Sequence, residues 1–321
     1  PLGHYGQSNR IANTVMVINV GASAGTIGYS SVDFWSSDGC FCIGYSDSLI
    51  SRFVYYVLLC HENILRSKVR FAGIPTLDAT AVERIEIPIF PLTIQLEIVK
   101  ILDTFTRLEA ELEAELEARK KQYEHYREEL LTFGDDCQWM TLDEVSKSIN
   151  AGGDLPETYL KGQKTPTAEF PYPIYSNGSD DKALYGYTDG YKINDEAVTI
   201  SARGTIGYHM VRDAKFTPIV RLLTLIPNTR IITPKFLNYV LDITEIGHSG
   251  GSIPQLTVPN VKKIRIPVPT LAEQERIVTI LDKFDALVND ISIGLPAELS
   301  ARRQQYEYYR GKLLTFKEYA N

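Results

Sequence analysis

Apolar and polar positions follow two rhythms along this chain, and the pair of rhythms occurs twice. Short apolar runs such as Ala197-Val198-Thr199-Ile200, Val220 to Ile226 and Ile264-Arg265-Ile266 are separated by turns rich in Gly, Asn, Asp and Pro, and predict strands. Ser51 to His61 and Pro234 to Asp242 predict short helices. Each mixed stretch then gives way to apolar residues at three- and four-residue steps, the spacing of one helix face. In the first unit these are Ile98, Ile101, Leu102, Phe105, Leu108, Leu112, Leu116, Tyr123, Tyr126 and Leu130. In the second they are Ile277, Ile280, Leu281, Phe284, Leu287, Ile291, Leu295, Leu299, Tyr306, Tyr309 and Leu313. Leu108 to Arg119 is almost wholly Glu, Ala, Leu and Arg, strong helix formers with a charged outer face. The fold class is α+β, a tandem repeat of a β-rich domain followed by a long helix.

The repeat is visible residue by residue at an offset of 179. Thr26-Ile27-Gly28-Tyr29 recurs as Thr205-Ile206-Gly207-Tyr208, Ile74-Pro75-x-Leu77 as Ile253-Pro254-x-Leu256, and Gln95 and Asp103 as Gln274 and Asp282. A period this long is two whole units, not a solenoid. The boundaries are 1–90 and 135–270 for the β-rich domains, and 91–134 and 271–321 for the helices. Late in the helices the offset grows to 183, about one extra turn, with Gly294 and Pro296 placed to bend the second helix. The two stripes predict an antiparallel helix pair through Phe105, Leu112, Leu116, Tyr123, Tyr126, Leu130, Phe284, Leu299, Tyr306, Tyr309 and Leu313. The alternative is that each stripe is buried on its own domain. Residue 1 aligns with Asp180, so the first unit has no counterpart of Trp139 to Ser179. With the tag-like Pro1-Leu2-Gly3, this suggests a shortened first domain, an uncovered edge near Val15 to Val20 and self-association of the isolated chain.

Composition narrows the class. The net charge of −7 argues against a generic polyanion binder, yet its excess acid sits mainly in 91–134, with 6 Lys+Arg against 10 Asp+Glu. The β-rich parts are nearly neutral, which leaves room for a basic face. Cys40, Cys42, Cys60 and Cys137 form no paired framework and read as reduced residues of a cytoplasmic protein. Gly21-Ala22-Ser23-Ala24-Gly25 lacks the ending of a phosphate loop, the five histidines lack metal-ligand spacing, and no hydrolase, methyltransferase or nuclease motif is present. These absences predict a chain without catalysis of its own.

Each helix is entered through Ile-Pro-Ile/Val…Pro-x-Leu-x-x-Gln-x-x-Ile-Val-x-Ile-Leu-Asp and closes with Tyr-x-x-Tyr-Arg-x-x-Leu-Leu-Thr-Phe, at Tyr123 to Phe133 and Tyr306 to Phe316. This arrangement resembles the specificity subunits of type I restriction–modification enzymes. The resemblance implies two target-recognition domains, each reading half of a split double-stranded DNA sequence, with the helices as spacer. It implies methylation subunits docked on the helices, bringing S-adenosylmethionine, and restriction subunits bringing ATP-driven cutting. No cofactor is expected in this chain.

Base and phosphate contact needs short polar and cationic side chains on loops that fit a groove. In the second domain the candidates are Tyr175-Ser176-Asn177-Gly178, Lys192, Ser201, Arg203, Gly204, Thr205, Ser249-Gly250-Gly251-Ser252 and Gln255. In the first they are Ser23, Gly25, Arg66, Lys68 and Arg70. For each, ordinary turn chemistry is the competing account. Arg203 faces Ala24 in the 179-residue alignment, as expected if the two domains read different half-sites. Two rivals remain at this point, an assembly scaffold that binds no DNA and a stand-alone DNA methyltransferase.

Overall fold

A computed structural model describes residues 3, 5–44, 46–134, 136–246 and 256–315. The chain divides into two compact units, Pro1–Ala118 with Asn289–Asn321, and Arg119–Val288. The first contains β1 (Thr14–Ile18), β2 (Ile27–Ser30), β3 (Cys40–Cys42), α1 (Ser51–Ser67), α2 (Ala79–Glu83) and the opening part of the 40-residue α3 (Leu92–Leu131). Its antiparallel sheet has the order β2-β1-β3. Alternation along β1 puts Val15 and Val17 on one face, where they meet Val54, Leu58 and Leu65 of α1. The opposite side of α1 buries Phe53, Tyr56 and Val57 with Ile98 and Leu102 of α3. α1 runs six residues past the predicted His61, because Leu65 reaches the sheet-side core and Glu62 pairs with Arg66 one turn on.

The second unit continues with β4 (Trp139–Thr141), α4 (Leu142–Val145), β5 (Ser146–Ala151), β6 (Tyr159–Lys161), β7 (Tyr172–Tyr175), β8 (Leu184–Thr188), β9 (Ala197–Ile200), β10 (His209–Arg212), β11 (Thr217–Pro218) and β12 (Leu223–Pro227). It closes with α5 (Pro234–Ile243), α6 (Val258–Lys262), β13 (Arg265–Pro267) and α7 (Leu271–Val288). Two four-stranded sheets form, ordered β10-β9-β12-β5 and β11-β7-β8-β6, with β13-β4 as a small ribbon. β12 begins at Leu223, not at the predicted Val220, because Val220 and Arg221 form a turn.

The predicted second long helix is built as α7 and α8 (Leu295–Leu314), with a break across 289–294. Gly294 caps α8 and Pro296 lies in its first turn, where a missing N–H costs nothing. Ile291 is 83% exposed, so it drops out of the apolar stripe. Within the first unit α8 runs antiparallel to α3. Phe105 stacks on Tyr309 at 5.6 Å and meets Tyr306 at 6.3 Å, while Arg303 pairs with Glu109 at 2.6 Å and with Glu113. Within the second unit the equivalent residues repeat the contact, Phe284 lying 6.3 Å from Tyr123 and 5.5 Å from Tyr126. Among the described residues, no helix is long and apolar enough to cross a membrane.

Each β-rich domain is jointed to its helix by the same two side chains. Gln95, fully buried, accepts from Ile50 N–H at 2.9 Å and donates to the carbonyls of Ser48 and Phe90, both at 2.8 Å. Gln274 accepts from Thr233 N–H at 2.9 Å and donates to Ile231 at 2.8 Å and Pro269 at 2.9 Å. Ile50 and Thr233 are the N-cap residues of α1 and α5, so each carboxamide fixes where its domain helix starts. Eight residues on, Asp103 accepts from Arg52 at 2.7 Å and Tyr56 at 2.5 Å, and Asp282 from Lys235 at 2.6 Å and Tyr239 at 2.7 Å.

Candidate nucleic-acid interface

Strand register gathers four loops of the second unit at one end of its sheets. β5 ends at Ala151, β9 ends at Ile200, and Leu223 at the start of β12 is the register partner of both. β7 and β11 run parallel, with Ile174 opposite Thr217 and Tyr175 opposite Pro218, so the chain leaves both in the same direction. Side chains then tie the loops together. Asn177 donates to Val220 O at 2.6 Å and accepts from Ala202 N–H at 2.7 Å. The Ser201 hydroxyl accepts from Gly178 N–H at 3.1 Å and donates to Gly178 O at 3.0 Å.

The predicted candidates therefore separate into braces and tips. Ser201 is 1% exposed and its hydroxyl is spent inside the loop cluster. Asn177 and Gly178 share that bracing, Ser176 N–H donates to Ala183 O at 2.8 Å, and the Tyr175 ring lies 4.0 Å beneath the Arg212 guanidinium. Arg203, Gly204 and Thr205 are exposed at the tip of the loop after β9. Lys192 is also exposed, and its ammonium donates to Asp154 O at 3.2 Å beside the Gly152-Gly153 turn. A recess of about 410 Å³ opens here, with Ala202, Arg203, Arg221, Leu223 and Leu256 among its walls. Ser249, Gly250, Gly251, Ser252 and Gln255 lie outside the described residues.

Arg221 is the residue that sequence reasoning missed. Val220 and Arg221 both take left-handed backbone, with φ of 52° and 59°, where a β-branched or bulky residue is an outlier. Such conformations cost roughly 1–3 kcal/mol each and persist only where the surroundings over-determine them. Here Val220 N–H donates to Gly153 O and Arg221 N–H to Gly152 O, both at 3.0 Å. A Cβ on Gly152 would stand 2.8 Å from Ile219 N, so that close approach requires glycine. Nothing in local propensity marks the pair, since Val-Arg-Leu-Leu reads as the start of a strand.

In the first unit Gly25 stands where a Cβ would come 2.9 Å from Arg66 Cα, which brings the β1–β2 turn against the end of α1. Arg66 and Ser67 belong to α1's last turn and not to a loop, and Arg66 donates to the Thr26 hydroxyl at 3.0 Å. Ser23 and Lys68 are exposed, and Arg70 pairs with Asp78. The Thr-Ile-Gly-Tyr repeat is not a structural repeat. Val17 pairs with Ile27 in β2, whereas Ile200, which precedes Ser201 as Val17 precedes the equivalently bonded Ile18, pairs with His209, so Thr205 to Tyr208 still lie in the turn before β10. Gly25 N–H donates to Ile18 O at 2.7 Å as Gly207 N–H does to Ser201 O at 3.0 Å. Ala24 therefore matches Ile206, and the expected opposition of Ala24 to Arg203 does not hold. Leu77 and Leu256 do stay matched, donating to Asn19 O and Ala202 O.

His209 anchors the far end of the loop. Its Nδ1 lies 2.8 Å from Gly207 O and its Nε2 lies 3.2 Å from Asp242 Oδ1 on α5. Two acceptors facing two ring nitrogens suit the imidazolium. Burial opposes that charge, but Asp242, Gly207 O and the backbone of Asn238 outweigh it and raise the pKa above the ordinary 6.5. The clamp's contribution is therefore complete below pH 6.5 and lost as pH rises through the higher folded-state value. A pH titration followed by NMR is expected to move the Gly207 and Tyr208 amide signals with the His209 ring, and His209→Gln to abolish that shared step. Loop signals that titrate unchanged in the variant would dismiss the clamp.

The two units thus keep their joints while their loops differ. The family model for the type I restriction modification DNA specificity domain matches residues 4–118 and 135–301, and the chain belongs to that family. Two putative specificity subunits are similar along most of their length. One from Mycoplasma pneumoniae is 32% identical over 309 residues, covering 91% of this chain and 90% of the relative. One from Haemophilus influenzae is 34% identical over 308 residues, covering 88% and 77%. The S subunit structure from M. genitalium superposes with a TM-score of 0.64 at 19% identity, covering 99% of this chain and 87% of that one. The HsdS subunit from Thermoanaerobacter tengcongensis gives 0.53 at 18% identity, covering 95% and 80%. Both likenesses show the fold. As a specificity subunit the chain serves recognition of a DNA target and is the non-catalytic component of its system.

Proposed function

We propose that each unit reads one half of a bipartite duplex target, the second through the loop end that carries Lys192, Arg203, Gly204 and Thr205. The helices dock methylation subunits, which bring S-adenosylmethionine, and restriction subunits bring ATP-driven cutting. The observation that carries this reading is the contrast between joints and loops. Gln95 and Gln274 make the same three bonds and Asp103 and Asp282 the same two, while the exposed loops beyond them differ in residue and length. A rigid joint is what lets a helix set the distance between two reading surfaces. Tyr126, Tyr308 and Leu108 are exposed on the helices and supply apolar area for a docked subunit.

Arg203→Ala is expected to weaken DNA binding by the chain assembled with its methylation subunits, and to leave the melting temperature within a degree or two. A gel shift across a salt series checks this. A base contact predicts loss of about 1–3 kcal/mol at one target position, and a phosphate contact predicts a uniform loss with a salt slope lower by about one. Unchanged affinity at every salt concentration removes Arg203 from the interface.

A further inference from the structure

We infer that Arg221 is a specificity-determining residue which reads a guanine in the half-site of the second unit, an inference that rests on the reading of this loop end as the DNA interface. Arg221 and Arg203 line the same recess, whose remaining walls include the apolar side chains of Leu223, Leu256 and Val258. Among the described residues the Arg221 guanidinium has no carboxylate partner, in contrast to Arg66, Arg70 and Arg303. Its five donors are therefore left for a ligand.

The mounting distinguishes base readout from phosphate contact. A phosphate is reached anywhere along a continuous backbone, so a flexible side chain on a relaxed loop is enough. A base edge demands that the fork be held in position and orientation. The backbone under Arg221 is held in that way. Left-handed geometry at Val220 and Arg221 is fixed by bonds from their own amides to Gly153 O and Gly152 O, by Asn177 on Val220 O, and by Ile219 N–H to Tyr175 O at 2.9 Å. Gly152, Gly153, Tyr175 and Asn177 thus fix the backbone from which the Arg221 side chain extends. A planar fork of donors matches the O6 and N7 acceptors of guanine in the major groove, and no other base offers two acceptors so placed.

The test uses cells that express the chain with its methylation subunit, and reads the methylated motif from their genomic DNA. Arg221→Ala and Arg221→Gln are compared with wild type and with Arg203→Ala, and a thermal melt of each purified complex confirms folding. The inference expects relaxation at one guanine of one half-motif, by roughly 5- to 150-fold in discrimination, with all other positions intact. Replacing that guanine by 7-deazaguanine in a synthetic duplex should weaken wild-type binding and leave Arg221→Gln unaffected. A uniform fall in methylation over all positions, with a shallower salt dependence, overturns guanine readout but keeps the loop end as the DNA surface. If the Arg203 and Arg221 variants both fold and both retain motif and affinity, the surface itself is wrong.

Discussion

Gln274→Leu is expected to destabilise the second unit by about 3 kcal/mol, and Gln95→Leu the first by somewhat less. Leucine fills the space but strands one N–H and two carbonyls in each joint, and each buried unpaired group costs roughly 1–3 kcal/mol, partly offset by the apolar gain. Ser48, one of the three partners of Gln95, is exposed and can turn to water, whereas Thr233, Ile231 and Pro269 are all half-buried. That asymmetry sets the order of the two effects. For a unit of this size the larger loss corresponds to roughly 6–12 °C in the unfolding midpoint. Chemical denaturation of both variants measures it. A Gln274→Leu protein that unfolds with wild type would show that the carboxamide does not hold α5 to α7. Because Thr233 caps α5, the same variant should loosen the domain on its helix, so DNA binding of the assembled complex should fall even where the protein remains folded.

The sequence carried the α+β class, the twofold repeat and the helix faces, because all three depend on local spacing of apolar residues. It also aligned Gln95 with Gln274 and Asp103 with Asp282, but the bonds they make were hidden. Their partners Arg52 and Tyr56 correspond to Lys235 and Tyr239 at an offset of 183, not 179, and lie over 40 residues away from the carboxylates. Identical tetrapeptides misled in the opposite sense. The connection between paired strands runs over 18–26 in the first unit and 201–208 in the second, so Thr-Ile-Gly-Tyr falls on a strand in one and in a turn in the other. Among the loop candidates, residue type alone could not separate Ser201, which braces, from Arg203, which is exposed. That distinction depends on which loops the register places side by side. Arg221 escaped because its left-handed backbone is imposed by Gly152, Gly153 and Asn177, all distant in sequence.

The seam between α3 and α8 gives the second large effect. Arg303 spans Glu109 and Glu113, which places Leu299, one turn earlier on α8, level with Leu116, nearly one turn later on α3. Both leucines are 8% exposed. The ion pairs around them are open to solvent and contribute little, so the apolar layer decides whether α8 stays on α3. Leu116→Asp and Leu299→Asp should each remove the roughly 1.5–3 kcal/mol of a buried leucine and add the cost of desolvating a carboxylate. Because the two residues occupy one layer, the costs should not add. Once either aspartate has opened the seam, the second has less to break, and the coupling should reach about 1 kcal/mol or more. The double-mutant cycle is read from denaturation midpoints, with proteolysis within 295–314 reporting release of α8. Co-purification then shows whether methylation subunits need the closed seam, as the proposed docking requires. Strictly additive costs would mean that Leu116 and Leu299 do not meet, and wild-type midpoints with full assembly in both single variants would mean that this layer does not hold the helices together.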